Sequence, residues 1–147
     1  MDLMRDDAPP PREVTRLLWA HADATAERVI QRLGGPLCLE NLECFLRDKQ
    51  CLRYSTSLHF DEDGLEAGQF AEPVVHGEGQ ERHCCLHIHP RYKQYPGAVP
   101  YLVAYMAAAI TYGEAADREL SEHLGAMLVN EPRESFCRRV TALARLA

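Results

Sequence analysis

A chain of 147 residues with 46% hydrophobic and 26% charged residues has the makeup of an ordinary globular domain, and at that length folding buries roughly 68–70% of the surface an extended chain exposes. Its formal charge of −6, from 16 Lys and Arg against 22 Asp and Glu, provides no basic field for a polyanion, so nucleic acid is not an expected partner. The start, Met1-Asp2-Leu3-Met4-Arg5-Asp6-Asp7, lacks the basic-then-apolar order of an export signal, and no apolar run reaches the roughly 18 residues of a membrane span. A soluble cytoplasmic protein with no membrane partner is expected. Six cysteines, at 38, 44, 51, 84, 85 and 137, are then expected as reduced thiols, and their spacing contains no C-x-x-C pair.

Residues 1–11, ending in Pro9-Pro10-Pro11, are expected to be a mobile N-terminal tail ahead of a single α+β domain over 12–147. Val14, Leu17, Leu18, His21, Thr25, Val29, Ile30 and Leu33 recur at helical spacing as far as Gly34-Gly35-Pro36, which predicts an amphipathic helix over 12–33. Leu39, Leu42, Phe45 and Leu46 make the stripe of a shorter helix before Asp48.

At Cys51 the period changes to two. Leu52, Tyr54, Thr56, Leu58 and Phe60 alternate with Cys51, Arg53, Ser55, Ser57 and His59, the pattern of a half-buried strand over 51–60. The acidic, glycine-containing stretch 61–81 reads as a long loop with one short strand at 72–76, and Gly77-Glu78-Gly79 turns the chain back as a hairpin. Within it Asp61-Glu62-Asp63-Gly64 lacks the ligand spacing of a calcium loop and is read as a strand-ending turn. Residues 83–89 alternate again. Arg91, Tyr92, Lys93 and Tyr95 then read as a solvated connection, followed by an uncharged helix over 99–112 that should lie at the centre of the fold, with Pro100 in its first turn. Two amphipathic helices finish the chain, one over 114–129 with Ala116, Leu120, Leu124 and Leu128 inward, the other from 132 with Phe136, Val140 and Leu143 inward.

Because the strands cluster in the middle of the chain, the expected architecture is a small antiparallel sheet of two or three strands, with four or five helices packed on one face and the other face partly open. That open face carries the sharpest chemical signal in the sequence. His83-Cys84-Cys85-Leu86-His87-Ile88-His89 holds three histidines and two cysteines in seven residues. On a strand His83, Cys85, His87 and His89 share one face, and Cys84, Leu86 and Ile88 the other.

Same-face neighbours lie roughly 6.5–7 Å apart and His83 to His89 spans roughly 20 Å, so one ion cannot bind all four. His87 and His89 form the best adjacent pair, with Cys85 beside them and a further ligand expected from His59, or from Cys51, on the neighbouring strand. Mixed imidazole and thiolate ligands make zinc the expected ion. The plain alternative is a solvated sheet face, and a nucleophilic Cys84 or Cys85 beside His83 and His87 is a lesser one.

Two functional readings follow. One is a non-enzymatic binding or scaffolding domain, self-associating as a homo-oligomer or taking a protein partner or small ligand. The other is a transition-metal protein, with hydrolytic chemistry open to it, using His59, Cys85, His87 and His89. The residues alone assign no catalytic group.

Overall fold

The computed structural model describes residues 11–147, with side chains from Glu13 onward. The expected N-terminal tail therefore lies outside the described residues, apart from Pro11, which is the first residue of helix α1 (Pro11–Leu33). The order continues with α2 (Leu42–Arg47), β1 (Ser55–Phe60), β2 (Ala71–His76), β3 (His83–Ile88), α3 (Val99–Tyr112), α4 (Arg118–Val129) and α5 (Arg133–Ala144). Among the described residues no helix is long and apolar enough to cross a membrane.

The sequence signals account for most boundaries. Helix α1 stops where Gly34 takes a φ of 76° and the amides of Gly34 and Gly35 bond back to the carbonyls of Gln31 and Ile30, a Schellman ending that only glycine adopts without strain. Helix α4 starts at Asp117, whose carboxylate accepts from the Leu120 amide at 2.8 Å, and ends at Asn130 in the left-handed conformation. The predicted inward face of α1 is rotated: Ala22, Thr25, Ala26 and Val29 are buried, whereas Val14 and Leu17 are 45% and 58% exposed. The apolar stripe begins before the helix reaches the core.

Strand β1 starts four residues later than its alternation implies. The Asp48 carbonyl accepts from the amides of both Cys51 and Leu52, and this turn buries those two consecutive residues together, which a strand with one open face does not do. The sheet is mixed. Its order is β1-β3-β2, with β2 antiparallel to β3 but β1 parallel to β3, so the wholly antiparallel expectation is corrected. Pro73 accounts for the strand order. Lacking an N–H, it confines β2 to an edge, and because β2 and β3 are joined as a hairpin, β3 must then take the centre, beside a β1 that runs the same way. In that hairpin Gly77 has a φ of 89° and a Cβ there would stand 2.8 Å from the Glu81 carbonyl oxygen, so the turn requires glycine.

On β3 Cys84, Leu86 and Ile88 are fully buried beneath the helices while His83, Cys85 and His87 stay part-exposed on the other side. Helix α3 is central as expected, with Leu102, Val103, Met106 and Ile110 buried, and it packs along α4 and over β2. Gly125 permits that approach: a Cβ there would fall 2.5 Å from the Phe136 ring of α5 and 3.1 Å from the Ala104 carbonyl of α3.

Candidate functional site

With the helices on one side, the other side of the sheet is a shallow grid. Register places Ser55, Ser57 and His59 of β1 opposite His83, Cys85 and His87 of β3, and these in turn opposite His76, Val74 and Glu72 of β2. Parallel pairing thus sets His59 beside His87 and Ser57 beside Cys85.

Ser57 is the hub of this face. Its Oγ lies 2.9 Å from Nε2 of His59, 2.9 Å from Nε2 of His83 and 3.8 Å from Sγ of Cys85. A hydroxyl has one proton to donate, so it cannot donate to both imidazoles; at least one ring must carry its proton on Nε2 and donate to the serine. Three side chains with metal-ligand chemistry therefore point at one small hydroxyl on a solvent-accessible surface.

His87 is engaged differently. Its Nδ1 lies 2.7 Å from Asp61 Oδ1, with the imidazole 15% exposed and the carboxylate 39%. The hydrogen bond from His87 holds the Asp61 carboxyl below its ordinary range, against the opposing effect of burial. The His87 ring stacks on that of His59 with centroids 5.3 Å apart, so Asp61 orients His87 and His87 in turn braces His59. The Asp61 turn, which sequence spacing marks only as a strand ending, is thus part of the site.

The four residues singled out from the sequence divide. His59, Cys85 and His87 share the open face. His89 follows the last residue of β3 and caps the next turn: its Nδ1 accepts from the Arg91 amide at 3.1 Å, and its Nε2 is 3.4 Å from Glu62. The expected His87–His89 pair is thus committed to separate carboxylates, Asp61 and Glu62. Cys51 sits in the Asp48 turn and not on the face, and burial pushes its thiol up to about 11. Cys84 lies on the core face and burial likewise pushes it up to about 11, which removes it as a nucleophile near neutral pH.

As placed, no group of three His, Cys, Asp or Glu among the described residues stands ready to hold a metal ion. Sequence reasoning set His83 aside for its distance from His89 and passed over Ser57. The alternation did place Ser57 on the polar face, two residues before His59, but the partner strand and its register were needed to bring His83 and Cys85 to it. Comparison with protein-family models, curated proteins and solved structures finds no match.

Proposed function

We propose that this domain is a non-catalytic binding module whose working surface is the open face of the sheet, where His59, His83 and Cys85 capture a zinc-type transition-metal ion. The observation that carries the reading is their convergence on Ser57 Oγ. Zinc takes imidazole nitrogen at roughly 2.0–2.1 Å and thiolate sulfur at roughly 2.3 Å. Ser57 Oγ is bonded to its own Cβ, so the ion sits above the hydroxyl and not in its place, and the three side chains reach it by rotating toward solvent from their present 2.9, 2.9 and 3.8 Å around Ser57. Two nitrogens and one sulfur suit zinc, and the solvent side leaves a fourth position for water or a donor from a partner molecule.

Binding is favoured over catalysis because of where Ser57 sits. It lies in the middle of a strand on a shallow face, not on the sharp strand-to-helix turn that presents a nucleophilic serine together with oxyanion-binding amides.

Cobalt(II) titration of reduced, tag-free protein tests the reading. A stoichiometric thiolate-to-cobalt absorption band is expected, displaced by zinc, lost in His83→Ala and Cys85→Ala, weakened in His87→Ala and unchanged in His89→Ala. Absence of the band, or its survival in both His83→Ala and Cys85→Ala, would return the face to an ordinary solvated sheet surface.

A further inference from the structure

A second site lies on the opposite edge of the fold from the Arg91 turn, and it runs against the charge of the chain. A cleft of about 490 Å³ between α1, the turn entering β1 and the end of α3 is lined by Arg28, Lys49 and Arg53, over a floor that includes Leu18 and Leu52. A neighbouring cleft of about 330 Å³ shares Lys49 and Arg53 and adds Arg82 and Tyr54. No Asp or Glu lines either cleft. In a molecule with a net charge of −6, four cations gathered without a carboxylate form a local field of opposite sign.

These charges are uncompensated. Among the described residues none of the ion pairs involves Arg28, Lys49, Arg53 or Arg82. Glu27 and Glu81 directly precede Arg28 and Arg82 but form no ion pair with them, and Asp48, next to Lys49, is held by Arg32 at 2.7 Å and by the Gln50 amide at 2.8 Å. All four cations are steadied by neutral groups, Arg28 through its Nε on the Gln50 carbonyl at 3.0 Å, Lys49 on the Gln80 carbonyl at 3.4 Å, Arg82 on the Tyr54 hydroxyl at 3.4 Å and Arg53 over the Tyr54 ring at 5.4 Å, which leaves their remaining N–H groups for an anion.

A second observation is independent of charge. Beside the apolar Leu18 and Leu52, the larger cleft is lined by His21 and Tyr112, joined through His21 Nδ1 and the Tyr112 hydroxyl at 2.8 Å. Thr111 and Tyr112 end α3, whose exposed carbonyls disfavour an anion nearby, so the charged and uncharged parts of a ligand are sorted along the cleft.

We infer that this double cleft binds an organic di- or triphosphate of nucleotide size. The phosphates lie between Lys49, Arg53 and Arg82, and the uncharged body rests on Leu18 and Leu52 beside His21 and Tyr112. The volumes are those of small-molecule sites.

Calorimetric titration of the full chain with ADP, and separately with pyrophosphate, both in metal-free buffer, tests this without involving the sheet face. ADP should bind more tightly than pyrophosphate, with an affinity that falls as salt rises. Lys49→Glu and Arg53→Glu should each weaken both probes at least tenfold, while Arg91→Glu, an equal change of charge at the other end of the sheet, should change either less than twofold. Leu18→Ala should weaken ADP and change pyrophosphate less than twofold. The inference is overturned if neither probe binds at millimolar concentration, if Arg91→Glu weakens binding as much as Arg53→Glu, or if ADP binds Leu18→Ala as it binds the parent chain.

Discussion

Six cysteines with the same chemistry end in different situations, and burial decides between them. All six are free. Cys51 and Cys84 are buried and their thiols are pushed up to about 11, so almost none of either is thiolate near neutral pH, whereas Cys85 reaches the open face and Cys44 is exposed. Brief alkylation of the folded, metal-free protein at pH 8 should therefore label Cys44 and Cys85 first and leave Cys51 and Cys84 until the chain is unfolded. Peptide mass mapping reads this directly. Early labelling of Cys84 would mean that β3 does not present that side to the helices. The same face assignment explains why two adjacent cysteines have different roles: neighbours on a strand point oppositely, so Cys84 packs and Cys85 is offered to ligands.

At the level of elements, α3 carries the fold. Met106 and Ile110 are 8% and 3% exposed, and the helix touches both α4 and the sheet, so a carboxylate at either position has no partner within an apolar interior. Met106→Asp or Ile110→Asp should cost about 4 kcal/mol or more, a large part of the roughly 5–15 kcal/mol that holds a domain together. The expected result is loss of the cooperative thermal transition, and a wild-type melting curve in either variant would show that α3 is not central. Strand β2 is the contrasting case. Its Pro73 contributes no ladder donor and Val75 is 43% exposed, features of an edge whose position, and not its apolar content, sets the topology.

Across the whole molecule, hydrogen bonds and charge pairs join elements that are distant in sequence. His123 of α4 pairs with Asp23 of α1 and stacks on Trp19 at 4.3 Å, while Arg32, at the end of α1, meets Asp48 in the turn that feeds the sheet. Burial works to raise the Asp48 carboxyl, but the Gln50 amide and Arg32 outweigh it and the net position is below the ordinary value of 3.8. A depressed carboxyl contributes stability above the unfolded value, and that contribution disappears as pH falls through the folded value. Asp48→Asn should therefore destabilise the protein by about 0.2–1 kcal/mol at pH 7, the range of a partly exposed pair, and the gap from wild type should narrow as pH falls below 3.8. Urea unfolding on both sides of that value measures it. A gap that persists in acid would assign the effect to packing and not to charge.

By itself the sequence determined what depends on local spacing. Helix α1 ended at Gly34 because glycine tolerates the left-handed turn, α3 was central because no charged face was available to solvate, and the alternation of β3 separated Cys84, Leu86 and Ile88 from His83, Cys85 and His87. The α+β class and the histidine-bearing open face followed from those periods. Tertiary structure decided everything that requires two segments at once. Spacing along β3 made His87 and His89 look like the natural pair, but the strand ended at Ile88 and the two rings went to Asp61 and Glu62. Parallel pairing with β1 then brought Ser57 between His59 and His83, residues 26 positions apart in the case of Ser57 and His83. The cationic cleft was hidden for the same reason: Arg28, Lys49, Arg53 and Arg82 are scattered through an acidic chain, and only the folding of α1 against the β1 entry turn gathers them. Periodicity reports which way a side chain faces, whereas register and packing determine what it faces.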